Sequence, residues 1–244
     1  MLKETQIVNA AARLGVFATI VATAMLFLVS HVAKADELGD IDVALVLLSD
    51  TSRSLDETEL RIAKDSHAAA FRNPDVVRAI EKGFLGRIAV TYVEFSETAV
   101  QRIDWMIIDG PDAAALFADA VDAVESPSER SLTDIAAGLT LAKDLIDAMP
   151  YRATRLVVDI VGDGKHNTRF LGTFFGDVRP VRDELVASGI QINALPMLLD
   201  PSERDLAAYY ETNVTGGPGG FSIPIRAIDD LQPALVRKLI LELF

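Results

Sequence analysis

The sequence predicts an α/β fold: a Rossmann-like, doubly wound, mostly parallel sheet of six strands, with one antiparallel edge strand and helices on both faces. Short apolar segments alternate with helical patterns almost throughout residues 40–244, as in doubly wound folds. Residues 43–48 carry no charge, which is typical of a strand covered by helices on both faces. Only a few residues separate the predicted strands at 87–95 and 98–108, so no crossover helix fits between them and the pair is antiparallel.

The predicted elements follow one another without an internal repeat or a low-complexity linker, which indicates a single domain. Acidic residues at 56, 57 and 59 favour the start of a helix, and Pro74 interrupts it. Gly83 and Gly189 follow the ends of helical segments. Strands are predicted at residues 42–48, 87–95, 98–108, 154–161, 190–199 and 221–225, and helices at 56–71, 76–82, 111–124, 132–149, 178–187, 201–210 and 228–244.

The first 35 residues have the three-part layout of a secretory signal peptide. Lys3 and Arg13 make the start basic, residues 14–33 carry no charge, and Ala33-Lys34-Ala35 matches an A-x-A cleavage site. The alternative is an N-terminal membrane anchor, because the uncharged stretch is about long enough to span a bilayer. Small residues dilute the stretch and favour cleavage. We therefore expect residues 36–244 to be a periplasmic or secreted domain with no membrane span.

Composition excludes several classes of site and partner. The chain has no cysteine, which excludes disulfides, thiolate nucleophiles and thiolate metal sites. Its net charge is −13, and removal of residues 1–35, which hold three basic residues and one acidic residue, changes this to −15. Because such a field repels polyphosphates, we expect no nucleic-acid partner. The same field attracts divalent cations.

Oxygen-bearing side chains follow two of the predicted buried strands. Asp50, Ser52 and Ser54 come directly after the first strand, and Asp163 ends the fourth. In doubly wound sheets, ligands bind past the carboxyl ends of the strands, at the point where the strand order reverses. If the first and fourth strands are neighbours there, these loops converge on one crevice, and Thr133 reaches it from the loop before a long helix.

These residues carry a resemblance to a known family. The segment 50–54 matches the D-x-S-x-S signature of von Willebrand factor A domains, Thr133 fits the threonine of the family's second loop, and Asp163-Gly164 fits the aspartate of its third loop. Tyr209-Tyr210 and Phe221 resemble the end of the same fold. More narrowly, the segments 50–60, 86–96 and 216–221 are similar to a family of secreted bacterial A-domain proteins of unknown function.

The resemblance implies a metal-ion-dependent adhesion site (MIDAS) made of Asp50, Ser52, Ser54, Thr133 and Asp163. By analogy, the three hydroxyls would bind the cation directly and the two carboxylates would act largely through water. Mg²⁺ fits best, with Mn²⁺ or Ca²⁺ as alternatives, because a hard cation prefers oxygen ligands. A protein partner would place an Asp or Glu carboxylate in the remaining position. The implied function is an exported, non-enzymatic binding or adhesion module.

Each of these residues also has an ordinary structural interpretation. Asp50 and Ser52 could cap the following helix. Ser54 with Glu57 matches a capping box, and Thr133 could cap the long helix. The Asp-Gly pair at 163–164 could be a turn. Capping and metal binding are also compatible, because a side chain can use different lone pairs for each.

A hydrolase is the alternative from a different functional class. Ser52 or Ser54 would serve as nucleophile, or the metal would activate water. The chain has no G-x-S-x-G elbow. We expect His67 to pack on the first helix and His166 to be a surface histidine. Asp159, inside an apolar strand, is expected to be hydrogen-bonded or near the end of the sheet.

Overall fold

The strands and helices of the protein are seen in a computed structural model that describes residues 39–125, 130–170, 173–175 and 177–243. The predicted signal peptide at residues 1–35 lies outside this range. No helix within the range is long and apolar enough to cross a membrane. Strands are β1 (Asp40–Asp50), β2 (Ile88–Phe95), β3 (Ala99–Ile108), β4 (Arg152–Gly162), β5 (Thr168–Phe170), β6 (Thr173–Phe175) and β7 (Gln191–Pro196). Helices are α1 (Glu57–Phe71), α2 (Pro74–Glu81), α3 (Pro111–Asp122), α4 (Ile135–Ala148), α5 (Arg179–Ala187), α6 (Leu206–Tyr209) and α7 (Leu231–Leu243).

The central sheet has five strands in the order β3-β2-β1-β4-β7. All neighbours are parallel except β2 and β3, which form the expected antiparallel pair. The strand β1 lies at the centre, where Leu47 is paired with Tyr92 of β2 and with Asp159 of β4. The α/β prediction and the adjacency of the first and fourth strands are therefore confirmed, and the carboxyl ends of β1 and β4 lie side by side.

The sixth predicted strand, at residues 221–225, pairs with β7 only through isolated bridges. Ser222 is bridged in parallel to Ala194, and Ile225 to Met197. Ile223 and Ile225 donate their N–H groups to the carbonyls of Ala194 and Pro196, but Pro196 itself has no N–H to donate in return, which accounts for the interruption. The sheet thus has five regular strands and one irregular edge segment. A separate two-stranded hairpin of β5 and β6 follows β4, where the sequence suggested only a loop.

Side chains of β1 alternate between two apolar cores, one on each face of the sheet. Leu45 and Leu47 lie in the core under α1 and α7, and Val46 and Leu48 lie in the core under α4 and α5. All four are fully buried. Burial on both faces explains why this stretch of sequence carries no charge, and it holds the end of β1 in a fixed position.

A group of four polar side chains, here called the buried charge cluster, lies under α7 on the first of these faces. Lys238 Nζ of α7 is 2.5 Å from Asp159 Oδ1 of β4 and 2.5 Å from Glu242 Oε1. Asn193 of β7 donates an N–H to Glu242 Oε1 at 2.8 Å. All four are fully buried. Asp159 is therefore in the middle of the sheet, and an ion pair with α7 explains its place in an apolar strand.

Candidate metal site

The loop after β1 is joined to the end of β4 by a chain of hydrogen bonds. Asp50 Oδ1 accepts the backbone N–H of Ser52 at 2.7 Å. The hydroxyl oxygens of Ser52 and Ser54 are 3.0 Å apart, and Ser54 Oγ donates to Asp163 Oδ1 at 2.7 Å. Four of the five predicted site residues are thus connected, although 109 positions separate Ser54 from Asp163 in sequence.

Thr133 is brought to the same place by the loop before α4. Its carbonyl accepts the N–H of Asn167 at 2.8 Å, and its own N–H donates to the Asn167 side chain at 3.3 Å. A Cβ added to Gly164 would lie 3.1 Å from Thr133 Oγ1, so this hydroxyl is next to the residue that follows Asp163. Thr133, Ser54 and Asp163 line a cleft of about 690 Å³, and the buried Asp50 and Ser52 lie behind them.

Other residues take the helix-capping roles that could have explained the motif. The α1 cap is Asp56, whose carboxylate accepts the N–H groups of Thr58 and Glu59 while the Glu59 side chain accepts the Asp56 N–H. The α4 cap is Asp134, which accepts the N–H of Ala137 at 2.9 Å. The capping interpretations of Ser54 with Glu57 and of Thr133 are therefore wrong, and the site hydroxyls are left for another role.

Asp50 is the electrostatic centre of this crevice. Its side chain is 1% exposed, and burial, together with the charge of Asp163, raises the pKa of Asp50 to about 7. Burial also raises the pKa of Asp163, against the lowering effect of the hydrogen bond from Ser54. Asp50 Oδ2 is buried and has no hydrogen-bond partner. An unpartnered carboxylate oxygen next to a second carboxylate marks a place where positive charge is missing.

The available donors suit a hard divalent cation. Two carboxylates, Asp50 and Asp163, match the charge of such an ion, and the hydroxyls of Ser52, Ser54 and Thr133 add neutral oxygens. Within the described ranges no group of three or more His, Cys, Asp or Glu side chains is placed to hold a metal. The set at the crevice differs from such a group because three of its five residues, Ser52, Ser54 and Thr133, carry hydroxyls.

The two basic residues that follow Asp163-Gly164 are paired with acids or buried. Lys165 lies 2.6 Å from an Asp205 oxygen and 3.1 Å from a Glu203 oxygen, so its charge is shared with these acids. His166 is 6% exposed, which corrects the expectation of a surface histidine. Its backbone N–H donates to the Tyr209 hydroxyl at 3.3 Å.

The hydroxyl of Ser54 is hydrogen-bonded to a carboxylate, that of Asp163, and to no histidine in the part of the chain that the structure describes. The ring of His67 is hydrogen-bonded through Nδ1 to Ala63 O at 2.8 Å and packs edge-on against Tyr92 under α1. His166 Nδ1 is 3.6 Å from Asp134 Oδ1. Neither ring is hydrogen-bonded to Ser52 or Ser54, so the described residues include no histidine–serine pair of the kind that activates a serine nucleophile.

Two residues that sequence reasoning did not include complete the floor of the crevice. The Tyr210 hydroxyl donates to the Gly164 carbonyl at 3.1 Å, which holds the loop after β4. A Cβ added to Gly162 would lie 2.5 Å from that hydroxyl and 3.0 Å from Asp50 Oδ2. Position 162 thus requires glycine, because these two side chains leave no room for a Cβ. The only sequence signal for Tyr210 was its match to the end of the resembling fold.

We predict that Gly162→Ala will displace Asp50 or Tyr210 and weaken any metal response of the crevice. Overpacking of this kind costs about 1–3 kcal/mol of stability. The double variant Gly162→Ala/Tyr210→Phe removes the closest contact and should recover part of the loss, as measured by urea unfolding with and without Mg²⁺. Equal metal responses of the wild-type and Gly162→Ala proteins would contradict the assignment.

Comparison with known families identifies the chain. Residues 40–244 match a family described as "Protein of unknown function (DUF1194)". The chain belongs to this family. No curated protein matches it. The DUF1194 match covers the whole sheet and the crevice, in agreement with the resemblance to secreted bacterial A-domain proteins of unknown function.

Solved structures show that this DUF1194 protein has the von Willebrand factor A fold. A von Willebrand factor type A protein from Catenulispora acidiphila is 14% identical, with a TM-score of 0.58 over 82% of this chain and 42% of that one. Proximal thread matrix protein 1 from the mussel byssus, with a zinc-occupied MIDAS motif, is 18% identical, with a TM-score of 0.57 over 83% and 46%. The domain of the type V pili tip protein Mfa5 from Porphyromonas gingivalis is 11% identical, with a TM-score of 0.54 over 82% and 94%. The chain spans less than half of the first two proteins.

Proposed function

We propose that this DUF1194 protein is an exported, metal-dependent binding module that captures an acidic side chain of a protein partner through a divalent cation. The observation that carries the proposal is the buried, unpartnered oxygen of Asp50 behind the Ser52–Ser54–Asp163 hydrogen-bond chain. A cation in the crevice would supply the missing positive charge. Mg²⁺ is the first candidate, and Mn²⁺ and Ca²⁺ are the alternatives.

The balance of charge explains why such a site would bind a partner. Asp50 and Asp163 together neutralise a divalent ion, whereas the hydroxyls of Ser52, Ser54 and Thr133 add no charge. The bound ion therefore keeps its attraction for a further anionic oxygen, which a partner Asp or Glu carboxylate supplies. In this proposal the three hydroxyls bind the ion directly and the two carboxylates act largely through water, as the family resemblance implies.

We place the module in the periplasm or outside the cell, with residues 1–35 as a cleaved signal peptide and residues 36–244 as the exported domain. The sequence pattern of the N-terminus supports this assignment, and the net charge of −15 that remains favours attraction of cations. Retention of residues 1–35 as an anchor would leave the binding mechanism unchanged, because every site residue lies after them.

Metal titration of the unfolding transition tests the proposal. Mg²⁺ at a hundredfold excess over its Kd is expected to stabilise the protein by about 2.7 kcal/mol relative to protein in chelator. Asp50→Ala and Ser54→Ala should abolish the shift, since each removes one oxygen of the set. Asp147→Ala is the matched control, because this exposed acid pairs with Lys143 near the far end of α4 and the metal response should persist.

The partner chemistry is tested with a defined probe. A short peptide with one central Asp should bind to the metal-loaded protein and not to protein in chelator, whereas the same peptide with Asn should bind in neither condition. Absence of a shift with Mg²⁺, Mn²⁺ and Ca²⁺ would overturn the metal site. Binding of the Asp and Asn peptides with equal affinity would overturn carboxylate capture alone.

A further inference from the structure

A rigid loop connects α2 to β2. It lies at the end of the sheet where the parallel strands begin, opposite the crevice. The Asp42 carboxylate accepts backbone N–H groups from Leu85 at 2.9 Å, Gly86 at 2.8 Å and Arg87 at 3.3 Å. Gly86 has a φ of +70°, which favours glycine, and a Cβ at Gly83 would lie 2.4 Å from Asp42 Oδ2. One carboxylate and two glycines thus fix the conformation of this loop.

This loop presents Phe84 to solvent. The Phe84 side chain is 98% exposed, the highest value among the exposed large apolar side chains of the described residues. Single exposed apolar residues are common on protein surfaces, but most of them do not sit on a loop held by several hydrogen bonds to one carboxylate. Because the loop is already ordered, burial of this ring against a partner would lose little backbone entropy.

An apolar cleft lies at the same end of the sheet. The cleft is formed where α1 ends, α2 runs and α3 begins, and its volume is about 270 Å³. This is below the range of small-molecule pockets, which starts at about 300 Å³, and suits a single side chain. The loop and the start of α3 are at the same end of the sheet, because Ile108 at the end of β3 pairs with Ile88 at the start of β2. Its apolar lining comes from Phe71, Pro74, Val77, Pro111 and Ala115.

Charged residues accompany both features. Glu81, Arg72 and Arg78 line the cleft, and Lys82 lies two residues before Phe84. The two arginines are paired with acids of the same chain, Arg72 with Asp119 and Asp122 and Arg78 with Asp75. Glu81 and Lys82 are exposed, and within the described ranges neither takes part in an ion pair or a side-chain hydrogen bond. An acid at the cleft and a base beside the aromatic ring are therefore available to meet across an interface.

We propose that a second copy of this chain occupies the cleft, in a two-fold symmetric dimer. Phe84 of each copy would enter the cleft of the other, and Lys82 of each would pair with Glu81 of the other. A two-fold interface needs one patch that is complementary to itself, and here Lys82 and Phe84 follow the cleft-lining Glu81 by one and three residues. A partner of another kind would need only the ring or only the cleft. The crevice of each copy lies at the opposite end of its sheet, so the dimer would leave both crevices accessible.

Sedimentation velocity of the full chain in chelator tests the dimer independently of the metal site. The protein should pass from monomer to dimer between about 1 μM and about 100 μM, the range expected for a small interface with one aromatic anchor. Phe84→Ser should raise the Kd of the dimer at least about tenfold. Leu116→Ser changes another exposed apolar residue, on α3, and should leave the Kd unchanged.

Charge reversal gives a second measurement that does not depend on the aromatic ring. Lys82→Glu should weaken the dimer, and the double variant Glu81→Lys/Lys82→Glu should restore it, because the pair is re-formed with its signs exchanged. A monomer at all concentrations would overturn the proposal. A dimer that Phe84→Ser leaves intact, or that Leu116→Ser disrupts equally, would overturn it as well.

Discussion

Replacement of Lys238 by methionine is expected to lower the free energy of unfolding by about 3–5 kcal/mol, the cost of breaking a buried ion pair from one side. Lys238 is the single cation between the carboxylates of Asp159 and Glu242 in the buried charge cluster. Methionine keeps much of the length and the apolar stem of lysine, so the loss would come from the charge. Urea unfolding at neutral pH measures it.

The matched control is Lys143→Met on α4. Lys143 also pairs with an acid four residues later, Asp147, but this pair lies at the surface, where such pairs contribute little. In the cluster, Asp159→Asn and Glu242→Gln combined with Lys238→Met should recover part of the lost stability, because no unpaired charge then remains buried. Equal effects of Lys238→Met and Lys143→Met would contradict the role assigned to the cluster.

The metal-free protein is expected to lose stability as pH rises from about 4.5 to about 8 because of Glu242. Burial, and then the charge of Asp159, raise the pKa of Glu242 from 4.5 to about 8, although Lys238 acts in the opposite direction. Between these values the folded protein holds a proton that the unfolded chain has released. The contribution is fully present below the unfolded pKa and is lost through the folded pKa, with a limit on the order of 5 kcal/mol.

A comparison of wild type with Glu242→Gln isolates this group from others that titrate. Asp50 changes stability in the same direction, since its pKa is also raised, and His67 acts oppositely because burial lowers its pKa. Both are present in the two proteins, so they cancel in the difference. Glu242→Gln should be the more stable protein at pH 8 and above in chelator. Parallel pH profiles would show that Glu242 does not hold the proton.

Most of the fold could be predicted from sequence because burial on both faces leaves a clear pattern. The uncharged centre of β1 and the short link between β2 and β3 gave the parallel core and its antiparallel edge. The segment at 221–225 was less predictable, since Pro196 of β7 interrupts pairing that the apolar residues of the segment favour. The hairpin of β5 and β6 was missed because strands of three residues are too short to show a periodic signal.

The crevice was predictable to the extent that its residues end strands. Asp50 and Asp163 stand directly where β1 and β4 stop, and topology then brings them together. The capping roles were not predictable, because Ser54 with Glu57 and Asp56 with Glu59 both satisfy a capping pattern and only three-dimensional geometry selects the second. Asp159 also needed the structure, since its partner Lys238 is distant in sequence.

The 109-residue separation between Ser54 and Asp163 has a consequence for folding kinetics. Helices such as α1 can form from local contacts alone, but the crevice exists only after β1 and β4 have paired across that distance. Non-local strand pairing is the slow part of folding in such topologies. Assembly of the oxygens of the candidate site therefore depends on this slow pairing, and a cation that binds there would select only chains that have completed it.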